Sequence, residues 1–563
     1  MSQVLASKPW CCMKNGASQT FDPPCATIMA ALDGLAEKHS DKEALVEVCS
    51  EGDTPFSITY GELVEILHRS RDFFIDELKL QCGDAVSLLM ANKPELLTIN
   101  WSAWSNGIKT VPLDSKRDSL ERKLYKLKLT QAKVLFVRTD QVDAGEVQQI
   151  MAELPEMRIV ELATDKQYFD MVLKRQTAFK ANGKERVTLN NSTCLDSDCL
   201  ILFTSGTTAL PKGARLTPRS LWANAVQINH WLQINENDRF HVLLPLHHIN
   251  STTFSLATVL AGGTIVLSSR YSKSNFWRIM AEYKATLASV VPTIAYDLLS
   301  EQNAFLRYRE ALSQVSRIQI GSAPVQVNVV EAFYEKYHIR LVQGYGSTET
   351  SLRCTGMPYA LPEADYLDVV HSNSIGTEMC YANVAILDAD CQEVCAGEEG
   401  EICIRGPIVT RGYLDNAEAT EQAFKGGWFH SGDLGMWKLV HGQKFLFIKG
   451  RLKEIIIKGG VNVSPLAIEN AILNAFPEID FCYAIGIPHD RYGEEIGLVA
   501  GGHPRGLKAL KQAIDQRRIE GLLPFECPMA FLTVDRDALS KTSTGKIQRM
   551  KIKEQYGAQL AQL

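Results

Sequence analysis

The segment Leu202-Phe203-Thr204-Ser205-Gly206-Thr207-Thr208-Ala209-Leu210-Pro211-Lys212-Gly213 decides the reading of this chain. An apolar run at 200–203 leads into it, and Thr217 with Pro218 marks a helix start beyond it, threonine as N-cap and proline at the first helical position. The spacing predicts a strand-to-helix loop. The hydroxyls of Thr204, Ser205, Thr207 and Thr208, two glycines and Lys212 are donors suited to a polyphosphate in such a loop. It is not a Walker loop, which needs Gly-Lys-Ser/Thr after four intervening residues, because here Pro211 precedes Lys212 and Gly213 follows it.

Outward from this loop, short β-rich apolar runs alternate with segments of helical period. Strands are expected at 240–244, 264–267, 287–291, 317–320 and 339–342, and helices at 251–261, 275–283 and 325–337. This is the rhythm of βαβ units in a mostly parallel, doubly wound sheet. Residues 27–139 alternate in the same way. They include a helix at 119–129 with Leu120, Leu124 and Leu127 on one face and Arg122, Lys123 and Lys126 on the other, a basic face expected to be solvated. The polar stretch 180–198 reads as a connection. Past a boundary near 449–453, a strand at 455–457 and the helix start Ser464-Pro465 open a smaller unit. The fold class expected is α/β: a large N-terminal domain of doubly wound subdomains over 1–449, a hinge at 450–453, and a small mobile α+β domain over 454–563.

The 563 residues, 45% hydrophobic and 22% charged, suffice for several cores and exclude a disordered or fibrous chain. Lys plus Arg number 59 against 65 for Asp plus Glu, so no basic surplus points to nucleic acid. The 14 cysteines show no CxxC pair and no zinc spacing, and read as reduced, mostly buried thiols. No run of about 18 uncharged apolar residues occurs, and the N-terminus lacks a signal-like apolar core, so a cytoplasmic protein without a transmembrane segment is expected. The terminal Ala561-Gln562-Leu563 lacks the basic middle residue of a peroxisomal tripeptide.

The loop at 202–213 resembles the signature loop of the adenylate-forming superfamily, which holds acyl-CoA synthetases, peptide-synthetase adenylation domains and firefly luciferase. Ala209 departs from the family's usual glycine or serine, and a positive φ there would strain the loop by about 1 kcal/mol. Other motifs of the family recur in order. Val111-Pro112-Leu113-Asp114 resembles an upstream motif, and Gly321-Ser322-Ala323-Pro324 the small-residue turn beside adenine. Gln343-Gly344-Tyr345-Gly346-Ser347-Thr348-Glu349-Thr350 resembles the adenylate turn. The resemblance implies that Tyr345 stacks on adenine, Thr348 contacts the α-phosphate and Glu349 holds Mg²⁺. Trp428-Phe429-His430-Ser431-Gly432-Asp433 resembles the ribose motif, with Asp433 accepting from both hydroxyls. In Gly450-Arg451-Leu452-Lys453-Glu454, Arg451 is expected at the ribose and Lys453 at the hinge. Gly459 and Gly460 are suited to passage of a pantetheine arm, and also to a plain hairpin turn. Lys546, in Ser540-Lys541-Thr542-Ser543-Thr544-Gly545-Lys546, occupies the place of the catalytic lysine.

The implied chemistry is two half-reactions. A carboxylate attacks the α-phosphorus of Mg-ATP to give acyl-AMP and pyrophosphate, and a thiol then takes the acyl group. The acceptor is expected to be CoA, the alternative being a carrier-protein phosphopantetheine; an adenylate-binding pseudoenzyme is the non-enzyme alternative, and an oxidative luciferase-like activity has no positive feature. Pro245-Leu246-His247-His248 falls on the acyl-site segment, with His248 in the gating position and no aspartate nearby to hold an amino group. Pocket walls at 248–258, 290–296 and 344–355 mix apolar residues with Asn250, Ser251, Thr252 and Thr253, and the acid expected is fatty or aryl, fatty first.

Overall fold

In the computed structural model of the chain, which describes residues 21–49, 55–174, 195–204, 211–315, 317–323, 325–541 and 547–563, Leu200–Thr204 pairs antiparallel with Lys212–Leu216. The phosphate-type segment therefore joins two strands of a hairpin and not, as its spacing predicts, a strand and a helix. The five residues between Pro211 and Thr217 are just enough for one edge strand, which satisfies its backbone on Leu200–Thr204. The helix follows as read, Pro218–Leu232, closed by a capping box between Thr217 and Ser220.

The hairpin ends a six-stranded sheet ordered Arg158–Leu162, Ala132–Arg138, Ala85–Leu89, Lys109–Pro112, Leu200–Thr204, Lys212–Leu216, parallel except for the last pair. Every residue of Ala85–Leu89 is buried, as a parallel strand covered on both faces requires. A nine-stranded sheet runs Thr377–Glu378, Thr355–Gly356, Arg340–Tyr345, Arg317–Gly321, Leu287–Val290, Arg239–Val242, Thr264–Leu267, Glu43–Glu47, Phe56–Thr59, with its six central strands parallel. An antiparallel four-stranded meander, Asn383–Leu387 to Gln443–Arg451, follows. One apolar cluster extends from Phe21 to Phe447 through most of these layers.

Beyond Arg451 lies a separate small α+β unit. Five strands, Ile456–Lys458, Val461–Val463, Ile479–His489, Gly493–Gly502 and Ala530–Thr533, pack with helices Pro465–Ala475, Pro504–Asp515 and Arg549–Ala561 over their own cores. The α/β class with a large N-terminal and a small C-terminal domain is what the motif order implies.

The helix expected at 119–129 forms as Leu120–Thr130, with Ser119 as its N-cap. Two of the three side chains on its basic face are not solvated. Lys123 and Lys126 are buried, Lys123 Nζ 2.6 Å from Glu146 and Lys126 paired to Asp118, while Arg122 stays exposed. The carboxylates come from the helix Ala144–Glu153 and the turn before the helix, so the helix's own sequence does not announce them. Among the described cysteines none forms a disulfide; Cys199, Cys354, Cys403, Cys482 and Cys527 are buried, and Cys82 and Cys395 exposed. No helix among the described residues is long and apolar enough to cross a membrane.

His241, 2% exposed on Arg239–Val242, holds Ser268 Oγ at 2.8 Å from Nε2. Burial pushes its pKa down to about 3. The unfolded ring binds a proton near pH 6.5 that the folded ring refuses, so its contribution is complete above that pH and declines as pH falls below it. Urea unfolding at pH 5.5 should show a loss of about 1.4 kcal/mol from this ring relative to pH 7.5, absent in His241→Asn.

Candidate active site

The parallel strands Arg317–Gly321 and Arg340–Tyr345 end side by side, Gly321 opposite Gly344. Beyond them the chain doubles back. Leu352 N donates to Ser347 O at 3.1 Å and Cys354 N to Tyr345 O at 2.9 Å. A Cβ on Gly346 would lie 1.9 Å from Leu352 O, so only glycine permits this closure. Ser351 and Leu352 adopt φ of 55° and 130°, conformations that strain non-glycine residues and collect at ligand sites. The loop is held from behind by Pro218–Leu232. Asn224 Nδ2 donates to Thr350 O at 2.9 Å and to Arg353 O at 2.7 Å, and Gln227 Nε2 to Arg353 O at 2.6 Å.

Asp433 reaches this turn from the meander strand Phe429–Val440, where it pairs with Arg451 across the ladder. Tyr345 Oη donates to Asp433 Oδ2 at 2.7 Å, and Arg451 Nε lies 3.2 Å from Oδ1. Burial raises the Tyr345 phenol well above its ordinary range, and the Asp433 charge adds to the shift. Burial alone would lower Arg451, but Asp433 and Glu454 outweigh it and raise it. Glu401 fixes the turn that carries Asp433: it accepts from Gly432 N at 2.8 Å, and its other oxygen lies 2.7 Å from His430 Nδ1. Cys403 Sγ stands 3.4 Å from the same nitrogen, a grouping of Glu401, Cys403 and His430 that chain spacing conceals.

The phosphate hairpin meets the turn through Tyr413, which sequence reasoning missed. Tyr413 pairs with Ala214 of the hairpin and donates from Oη to Glu349 Oε1 at 3.1 Å. Lys212 Nζ sits 5.3 Å from the Tyr413 ring centre, and Thr204 Oγ1 donates to Lys212 O at 3.4 Å. Tyr413 thereby links Lys212 to Glu349, with Thr204 bonded to the Lys212 carbonyl and Thr348 next to Glu349 in the chain. Nothing in the spacing around Tyr413 marks it, because its partners belong to distant strands. The half-buried Glu349 carboxylate is a hard oxygen ligand that fits a magnesium ion accompanying a nucleotide. Ser205, Gly206, Thr207, Thr208, Ala209, Pro324 and Lys546 lie outside the described residues. Ser322 takes a φ of 69°, and Ala323 follows it, half-buried, at the strand end.

On the acyl side, His248 is the residue before the helix Ile249–Leu260. Packing around its ring, with His247 4.6 Å away, pushes its pKa down to about 3, so it is neutral at physiological pH. His247 Nε2 stands 3.3 Å from Asp114 Oδ2, an ion-pair distance without the alignment of a hydrogen bond. Burial would raise the Asp114 carboxyl, yet His247 and two backbone donors hold it well below the usual range. Nearby Arg117 Nη1 donates to Lys541 O at 3.1 Å, at the base of the loop that carries Lys546. Lys453 is exposed within Leu452–Glu454. Gly459 and Gly460 form a two-residue hairpin turn with φ of 58° and 84°, exposed at one end of the C-terminal sheet.

The AMP-binding enzyme model matches residues 32–414. An oxalate–CoA ligase of Arabidopsis thaliana is 28% identical over 94% of this chain and 98% of its own length. A feruloyl-CoA synthase of Amycolatopsis sp is 32% identical over 64% of this chain and 71% of its own. Among solved structures, ATP-bound MatB from Rhodopseudomonas palustris superposes with a TM-score of 0.78 at 24% identity, covering 94% of this chain and 99% of that one. The o-succinylbenzoate CoA synthetase of Bacillus subtilis, in complex with its acyl-adenylate, gives 0.75 at 24% identity over 93% and 97%.

The closure at Gly346 is directly testable. Gly346→Ala must displace the Leu352 carbonyl and should destabilise the protein by at least about 2 kcal/mol in urea unfolding, or unfold the 346–353 turn locally and expose its amides to hydrogen exchange.

Proposed function

The chain belongs to the AMP-binding enzyme family and is an AMP-forming acid–thiol ligase, and from that premise we propose that it activates a carboxylic acid of apolar or aryl body and passes it to CoA. The observation that carries this reading is that Tyr345 and Arg451 meet at Asp433 while Tyr413 joins Glu349 to Lys212.

In the first half-reaction a substrate carboxylate oxygen bonds to the α-phosphorus of ATP while the bond to pyrophosphate breaks. Tyr345 offers its ring face to adenine beside Gly321, Ser322, Ala323, Gly344 and Gly346. Asp433, already oriented by Tyr345 and Arg451, accepts from the ribose hydroxyls. Thr204, Ser205, Gly206, Thr207, Thr208 and Lys212 bind the β- and γ-phosphates, and Thr348 the α-phosphate. Glu349 would hold magnesium, which would supply charge neutralisation at the phosphates. Lys546 would offset the charge that grows on the α-phosphate oxygens. His248, neutral, borders the acid without adding a competing charge.

In the second half-reaction the thiol loses its proton, its sulfur bonds to the acyl carbon, and AMP leaves. The C-terminal domain turns about Lys453 between the two steps, withdrawing Lys546 and bringing up the Gly459–Gly460 turn. The relatives are named for different acids, from oxalate to ferulate, so the acid is read from this chain's own walls.

ATP–pyrophosphate exchange over fatty, aryl, short-chain and amino acids, repeated with CoA while following AMP and thioester, tests the reading. Exchange confined to one acid class with stoichiometric thioester and AMP is expected; transfer only to a carrier-bound thiol would move the acceptor. Lys546→Ala should slow acyl-AMP formation by about 100-fold or more while leaving thioester formation from supplied acyl-AMP intact.

A further inference from the structure

Six lysine or arginine side chains among the described residues are buried, and five of them face carboxylates. Lys123 has Glu146 at 2.6 Å, Arg138 has Asp140 and Asp165 at 2.8 Å, Arg317 has Asp238 at 3.5 Å, Lys458 has Glu495 at 2.5 Å, and Lys126 has Asp118. The sixth is Arg353, 0% exposed, whose Nε, Nη1 and Nη2 have no hydrogen-bond partner among the described residues. Burial pushes it down to about 10, with only neighbouring Cys354 acting the other way, so the guanidinium keeps its charge at neutral pH. An unpaired buried cation is among the costliest groups a fold can hold.

The structure also spends conformation on placing it. The backbone of Arg353 is clamped by Asn224 and Gln227, and the two residues before it are strained. Its side chain passes under the strand ends that form the adenylate turn. A methyl on Gly344 would lie 2.9 Å from Arg353 Cδ and Nε, and one on Gly321 3.0 Å from Nη2, so both glycines leave room for it. The planar fork of a guanidinium suits two oxygens of one anion. That anion is not the reacting carboxylate, since a bidentate ion pair would withdraw charge from the oxygen that must attack phosphorus.

We propose that Arg353 receives a second anionic group of the substrate, so that the acid activated is a dicarboxylate or a sulfonated carboxylic acid and not a plain fatty acid. The inference rests on the ligase reading above. The apolar walls then contact the carbon skeleton between the two anions, and Arg353 acts as a specificity-determining residue.

The test compares exchange kinetics of the full-length enzyme with α,ω-dicarboxylates, sulfonated acids and monocarboxylates matched for chain length, in wild type, Arg353→Met and Arg353→Lys. The best dianion should exceed its matched monoanion by about 100-fold or more in kcat/KM. Arg353→Met should abolish that preference without changing KM for ATP, and should melt at a higher temperature in the absence of substrate. Arg353→Lys should keep part of the preference. As a measurement independent of any variant, the preferred dianion should raise the melting temperature of wild type where its matched monoanion does not. Wild-type preference for monocarboxylates, or a ratio unmoved in both variants, overturns the inference and leaves the ligase reading standing. Absence of exchange with every acid overturns the ligase reading and the inference together.

Discussion

The Asp433 carboxylate is the point on which the arrangement turns. One oxygen holds Tyr345, which ends a strand of the nine-stranded sheet, and the other faces Arg451, which ends the meander. Two sheets that share no ladder are thereby brought to a common edge. A charge buried to this degree needs both partners, and the partners in turn need their strands to end where they do. Glu401 repeats the logic one step back, spending one oxygen on Gly432 N and the other on His430, so the turn presenting Asp433 has little freedom of its own.

A second linkage runs through one helix. Pro218–Leu232 follows directly from the phosphate hairpin, and the same helix grips the far side of the adenylate turn with Asn224 and Gln227 and anchors Met357 O through Trp231 Nε1 at 2.6 Å. Gln227 Oε1 also accepts from Tyr381 N at 3.1 Å, at the entry to the meander. The ends that would meet phosphates, adenine and acid are therefore referenced to a single rigid rod. Such positioning on regular structure is more exact than positioning on loops alone.

What the sequence made legible was local. Thr217-Pro218 and Ser464-Pro465 start helices as read, because a cap and a proline act within one turn. Thr264–Leu267 is a strand at the residues expected, and Gly321 and Gly344 stand at strand ends. What stayed hidden is set by topology. Lys123 and Lys126 look like a wet helix face until Glu146 and Asp118 are packed against them. The strand Lys212–Leu216 exists because Leu200–Thr204 offers an edge, and Tyr413 and the His247–Asp114 pair join segments far apart in the chain. Arg353 lies in plain view within a wall read as mixing apolar and small polar residues. Its meaning lies in the carboxylate that fails to appear beside it, which no single sequence can display.

The junction with the C-terminal unit favours the proposed rotation. Arg117 meets the Lys541 carbonyl, and the Arg536 guanidinium lies 4.5 Å from the Tyr296 ring centre, contacts of a kind worth about 1 kcal/mol or less each at a surface. Inside the C-terminal unit the connections are stronger. Arg549 bonds Glu454 at 3.0 Å and Glu469 at 3.0 Å, tying the residue next to Lys453 to the helix that begins just past Lys546. Lys541 and Ile547 pair across the base of that loop. In the proposed turn about Lys453 these surface contacts would break, while the ties of Arg549 to Glu454 and Glu469 within the C-terminal unit would persist.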